Sequence, residues 1–135
     1  MRTTRLLEAA VAVSIVAAVA TAPMASAIVP KQVVNIEAAP ACSAGKTFCF
    51  QPKKPVIGSG TKVVWKNRTS ALHTVTRCGG TNCPVSGGTG TDGGLASPAI
   101  ASGSKYAFVF HGRGTYVYYC SFHGYAVMHG TITVI

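Results

Sequence analysis

From residue 28 onward, apolar and polar positions alternate in short runs, and each run is closed by glycine, proline, serine or asparagine. A period of two sends successive side chains to opposite faces of a strand. Runs at 32–37, 48–51, 62–67, 73–77, 105–110, 114–119 and 130–135 fit that template, and no stretch of the region sustains a helical period. The pattern predicts an all-β sandwich. Tyr106, Phe108 and Phe110 fall on every second position and share a buried face, as do Val63 and Trp65. By the same parity Tyr116, Tyr118 and Cys120 point one way, with Val117 and Tyr119 on the other face. If the tyrosines face the core, so does the Cys120 sulfur. Residues 78–98 carry so many glycines that neither a long helix nor an interior strand is expected, and they are predicted to form an irregular surface connection. There are no internal repeats.

The first 27 residues depart from this pattern. A charged Met1-Arg2-Thr3-Thr4-Arg5 precedes an apolar run over about residues 9–20 and the small-x-small sequence Ala25-Ser26-Ala27. This is the layout of a signal peptide. The apolar run falls short of the roughly 20 residues that cross a bilayer, so a retained anchor is the lesser alternative. Removal would leave 108 of the 135 residues, enough for one domain over 28–135. Export to periplasm, lumen or cell surface is expected. That domain holds ten lysines and arginines against Glu37 and Asp92, a net charge of +8 compared with +9 for the whole chain. Such a balance favours acidic partners or anionic surfaces, a membrane surface included. The basic residues are scattered along the chain, without a basic run or interleaved aromatics, so nucleic acid is not expected as a partner.

An exported chain of this size with five cysteines reads as a disulfide framework with one thiol left over. Cys42 and Cys49 bracket a short polar segment, and Cys78 and Cys83 bracket Gly79-Gly80-Thr81-Asn82. Bridges 42 to 49 and 78 to 83 are therefore assigned, although three pairings of these four residues are open to the sequence alone. Cys120 is the odd cysteine. It stands in Cys120-Ser121-Phe122-His123-Gly124-Tyr125-Ala126-Val127-Met128-His129, which gathers a thiol, two imidazoles and a thioether. Thiolate and imidazole with a weaker thioether beside them are the donors of a mononuclear copper electron-transfer centre. Cys120, His123 and Met128 supply three donors, and His73 is the best candidate for a fourth because it follows run 62–67 through a short turn. His129 stands directly after Met128 and is the alternative to it as the weaker fourth donor, although strand parity favours Met128. His111, before Gly112-Arg113-Gly114, reads as a turn residue.

With these residues in place, the chain resembles the cupredoxins, and most closely their plastocyanin-like members. The resemblance rests on Phe50-Gln51-Pro52, Gly60-Thr61-Lys62-Val63-Val64-Trp65-Lys66-Asn67, His73-Thr74-Val75 and the tail from Gly114 through Cys120, His123 and Met128 to Gly130-Thr131-Ile132-Thr133-Val134. It implies a two-sheet Greek-key sandwich with one type 1 copper near one end. It further implies that Asn67 and Thr74 hydrogen-bond to the loop bearing the cysteine, supporting the metal's ligands. Phe122 stands where plastocyanins commonly have proline, and this basic chain cannot form the acidic patch they often carry. Asn67-Arg68-Thr69 also fits an N-glycosylation acceptor.

The function expected is that of an electron carrier, not an enzyme, working as a monomer with redox protein partners that present acidic surfaces. Electrons would leave by the edge of His123, framed by Phe122 and Tyr125, with a second route through Tyr119. The rival reading is a copper-binding protein that buffers or delivers the metal in the cell envelope. A metal-free binding sandwich is a third. A multicopper oxidase is disfavoured by the lack of His-x-His pairs.

Overall fold

The computed structural model describes residues 28–135, and the signal-peptide assignment to residues 1–27 lies outside them. Eight strands form: β1 (Lys31–Ala38), β2 (Phe48–Gln51), β3 (Val56–Ile57), β4 (Thr61–Asn67), β5 (Thr76–Arg77), β6 (Lys105–Phe110), β7 (Gly114–Tyr119) and β8 (His129–Val134). They make two mixed sheets, ordered β2-β1-β4-β6 and β3-β8-β7-β5. Within them β1 runs parallel to β4 and β3 parallel to β8, while the remaining pairs are antiparallel. From β2 to β7 every connection crosses from one sheet to the other, which closes the sandwich. The fold is all-β, and no helix occurs among the described residues.

The alternation reads directly into the core. Val34, Ile36, Phe50, Val63, Trp65 and Phe110 from the first sheet meet Tyr116, Tyr118, Ile132 and Val134 from the second, all buried. Aromatic rings set the spacing between the sheets. Trp65 and Phe50 each meet Tyr118 edge to face, and Phe110 meets Tyr116 in the same way. Such pairs add about 0.5–1.5 kcal/mol each beyond the area they bury. Gly130 is required where β8 crosses this layer, because a Cβ there would run into the Tyr118 ring and hydroxyl.

The glycine-rich connection after β5 is irregular, as expected, but it does not merely skirt the surface. Leu95 and Ile100 enter the core. Arg77 organises the segment before them. Its guanidinium donates to the carbonyls of Gly87, Gly88, Gly90 and Asp92 and lies over the Tyr116 ring, 4.9 Å from the centroid. The Asp92 carboxylate then accepts from the backbone N–H groups of His111 and Gly112 and from the Tyr116 hydroxyl. One planar donor and one carboxylate thus gather the segment, beside backbone bonds linking Gly87 and Gly90 to β7. Replacing Arg77 by Ala orphans several carbonyls together and removes the cation from the ring, so a loss of about 3 kcal/mol is expected. Denaturant unfolding measures it, and faster proteolysis within 78–98 should accompany it.

Candidate metal centre

The site lies at the end of the sandwich where β4 and β7 finish. Beyond β4 the chain does not re-form the strand expected over 73–77. Only Thr76–Arg77 is a strand, while His73 makes a single bridge with Ile100, each residue donating to the other's carbonyl. The reason is where the next amides go. Thr74 N–H points at Cys120 Sγ, 3.3 Å away, and Val75 N–H donates to Ser97 Oγ at 2.8 Å. Neither is free for a regular ladder.

Asn67 fixes the approach to His73. Its side-chain amide donates to the carbonyls of Ala71 and Ile100, both at 2.8 Å, which leaves Oδ1 to accept from the Thr69 backbone and hydroxyl. With its proton given to Asn67, Thr69 Oγ1 accepts from His73 Nε2 at 2.8 Å. That bond sets the imidazole tautomer: Nε2 carries the proton and Nδ1 presents its lone pair toward Cys120 Sγ, 3.8 Å away. Asn67 therefore supports the first histidine through Thr69, and it does not bond to the cysteine loop as the resemblance implied. Thr74 does reach that loop. Its hydroxyl accepts from Ser121 N–H at 2.8 Å and bonds the Ser121 hydroxyl at 2.9 Å. Asn67 is only 2% exposed and fully engaged, which excludes the glycan-acceptor reading.

The tail stretch turns tightly upon itself. Cys120 O accepts from the N–H groups of His123 and Gly124, Met128 N–H donates to Gly124 O, and Cys120 N–H donates to Met128 O. Gly124 has φ +78°, a left-handed conformation that admits glycine without strain. This folding brings His123 Nδ1 to 3.2 Å from Cys120 Sγ. Phe48, which the sequence did not single out, packs against both imidazoles with centroids 4.8 and 4.7 Å away. His73, Cys120 and Met128 are buried and His123 half-buried.

The donor atoms of His73, Cys120 and His123 lie within 4.8 Å of one another, near enough to share one ion. Their chemistry is soft sulfur and imidazole without carboxylate, a set that suits copper. Met128 shares the same core cluster as Cys120 and is tied to it through the backbone. Burial, and secondarily the charge of His123, lowers the His73 pKa from 6.5 to about 4. His123 is lowered too, by burial. Both imidazoles are thus neutral at neutral pH, the form that offers a lone pair.

Other predicted residues fall outside this cluster. His129 lies on the outward face of β8, stacked on Tyr125 at 4.2 Å with Nδ1 bonded to the Tyr125 carbonyl, while Met128 turns inward. His111 stands in the β6–β7 turn beside Asp92. Phe122 is 56% exposed and Tyr125 partly buried. Tyr119 is on the outer face of its sheet but not at the surface: at 6% exposure it is covered by the Cys78–Cys83 disulfide. Cys42 and Cys49 are also bonded, and Cys120 is the free cysteine.

A thiol and two imidazoles converging at one end of a two-sheet sandwich define a cupredoxin. The chain belongs to the plastocyanin/azurin family of copper-binding proteins, whose family model matches residues 37–135. Among solved structures, it is similar to a purple cupredoxin from Nitrosopumilus maritimus, with 26% identity over 76% of this chain and 98% of that one, at a TM-score of 0.59. A Cu(I) form of an amicyanin mutant shares the fold, with 24% identity, coverage of 82% and 86%, and a TM-score of 0.56. A search of curated proteins gave no match. Copper is the cofactor, and the donor cluster fits a single type 1 site.

Two outcomes are expected. Thr69→Val removes the acceptor that fixes the His73 tautomer, so copper affinity should fall about 10–100-fold in competition titrations, with Thr69→Ser restoring it. In metal-free protein, unfolded His73 takes a proton near 6.5 but the folded residue resists until about 4. Stability should be full above the upper value and fall as pH drops between them. Thermal midpoints measured across that window should show the slope, and His73→Gln should flatten it.

Proposed function

We propose that the protein is an exported one-electron carrier whose copper is held by His73 Nδ1, Cys120 Sγ and His123 Nδ1, with Met128 as the weaker fourth donor. Bound copper supplies a couple between Cu(II) and Cu(I), and the reaction makes or breaks no substrate bond. Family membership supports electron transfer as the general role. The observation that carries the reading is the convergence of the three donor atoms on side chains already fixed by Thr69, Thr74 and the loop's own backbone bonds. A site so held changes little between oxidation states, which lowers the cost of each transfer.

Burial of His73, Cys120 and Met128 favours retention of the metal over its delivery to another protein. Half-buried His123 is the electron's way out. Phe122 and Val127, both exposed, and Tyr125 make an apolar rim beside it, suited to the small, transient contacts of redox encounters. The positive charge of the domain steers acidic partners toward it. The Tyr119 route is the weaker one, since the disulfide covers that ring. Two disulfides in so small a domain support an oxidising compartment outside the cytoplasm.

Copper-loaded protein should show intense thiolate-to-copper absorption near ~600 nm, and absence of the band would sink the assignment. Cys120→Ser should abolish it, whereas His129→Ala should leave it in place, because His129 faces away from the cluster. Reduction and reoxidation with unchanged copper content distinguishes a carrier from a delivery protein.

A further inference from the structure

The outer face of the β2-β1-β4-β6 sheet carries a group of charges that the copper site does not use. In register across its strands, Lys31 lies beside Lys62, and Lys66 lies opposite Lys105. Between these two pairs Val33, Val64 and Ala107 form a row. All four lysines are exposed, yet Val64 on this solvent face is only 6% exposed. Lysine stems cover apolar surface while their ammonium groups stay in water. The result is a shallow basin of about 430 Å3 walled by Lys31, Lys62, Lys66 and Lys105 and floored by Val64 and Ala107.

Like charges facing one another across strands are destabilising, and here nothing offsets them. The described residues hold two acidic side chains, Glu37 and Asp92. Glu37 pairs with Arg68, and Asp92 is taken by backbone amides and a tyrosine hydroxyl. The two lysine pairs are four residues apart along β4, roughly 13 Å, so they present two separate dications on one face of the sheet. Beside the Lys31 end the chain exposes an aliphatic pair, Ile28 at 93% and Val29 at 54%, followed by Pro30, whose carbonyl accepts from Lys62 N–H. Charge alone would suit any polyanion. Cations with exposed aliphatic side chains at their edge suit the boundary between headgroups and acyl chains.

We propose that this face docks the protein on an anionic lipid bilayer, the lysine pairs contacting headgroup phosphates and Ile28 and Val29 entering the interface. The strands then lie along the membrane plane. The copper end, beyond the last residues of β4 and β7, faces sideways and stays open to partners on the same surface.

Co-sedimentation with vesicles of equimolar phosphatidylcholine and phosphatidylglycerol tests the assignment, with pure phosphatidylcholine as the neutral arm. Binding is expected to the first alone and to weaken with salt. The double variant Lys62→Gln/Lys66→Gln should bind about 30-fold more weakly, at ~1 kcal/mol for each lysine lost near the surface. Lys53→Gln/Lys54→Gln, the same charge change away from this face, should keep binding within about threefold. Lys31→Gln/Lys105→Gln removes the other member of each pair and replaces the first variant if that one does not fold. A loss in Lys53→Gln/Lys54→Gln equal to that in the variant of this face, no binding to the anionic vesicles, or binding only to soluble polyglutamate would each overturn the proposal. The copper absorption band of every variant is read in parallel, so a failure of lipid docking is separable from a failure of the copper assignment.

Discussion

The hydrogen bond from His73 Nε2 to Thr69 Oγ1 decides what the end of this sandwich can bind. A buried imidazole whose proton sat on Nδ1 would turn an N–H toward the cysteine sulfur and offer a metal nothing. Asn67 fixes the threonine hydroxyl, the hydroxyl fixes the tautomer, and the tautomer frees the lone pair. Thr74 performs the matching task for sulfur, with its amide aimed at Sγ and its hydroxyl holding Ser121. Two threonines five residues apart, on either side of His73, therefore aim donors that come from distant parts of the chain.

The sandwich supports this arrangement by being stiff where the site is anchored. Trp65 and Phe50 pack edge to face on Tyr118 across the two sheets, and β4 and β7 both end at the site. Irregular backbone is confined to segments with their own anchors. Arg77 and Asp92 gather the glycine-rich connection, and the Cys78–Cys83 bridge caps its start against Tyr119. The molecule thus combines a core built from alternation with loops built from specific polar contacts.

These two kinds of construction differ in how far they can be read from sequence. Alternation is local, so β2, β6 and β7 are legible to the residue, and β1, β4 and β8 to within one or two at their ends. Cys120, His123 and Met128 are legible because one loop carries all three. Val56–Ile57 was missed since two residues show no period, and it is a strand only through pairing with Thr133 and Val134. The shortened β5 reflects amides diverted to a sulfur and a serine hydroxyl far along the chain. Thr69 is hidden inside a glycosylation-like triplet, and Phe48 is only the first residue of a strand run. Tyr119 was placed on the correct face, but parity has no information on a disulfide folding over it.

The bond from Cys120 N–H to the Met128 carbonyl pinches the ligand loop shut at its base. The β7–β8 ladder runs up to the Tyr119–His129 pair, so the loop leaves and re-enters the sheet at neighbouring positions, while Thr74 and Phe48 hold its interior against the sandwich. That one backbone contact ties the two ends of the loop together, so the stretch that carries Cys120 and His123 is anchored at its base as well as along its length.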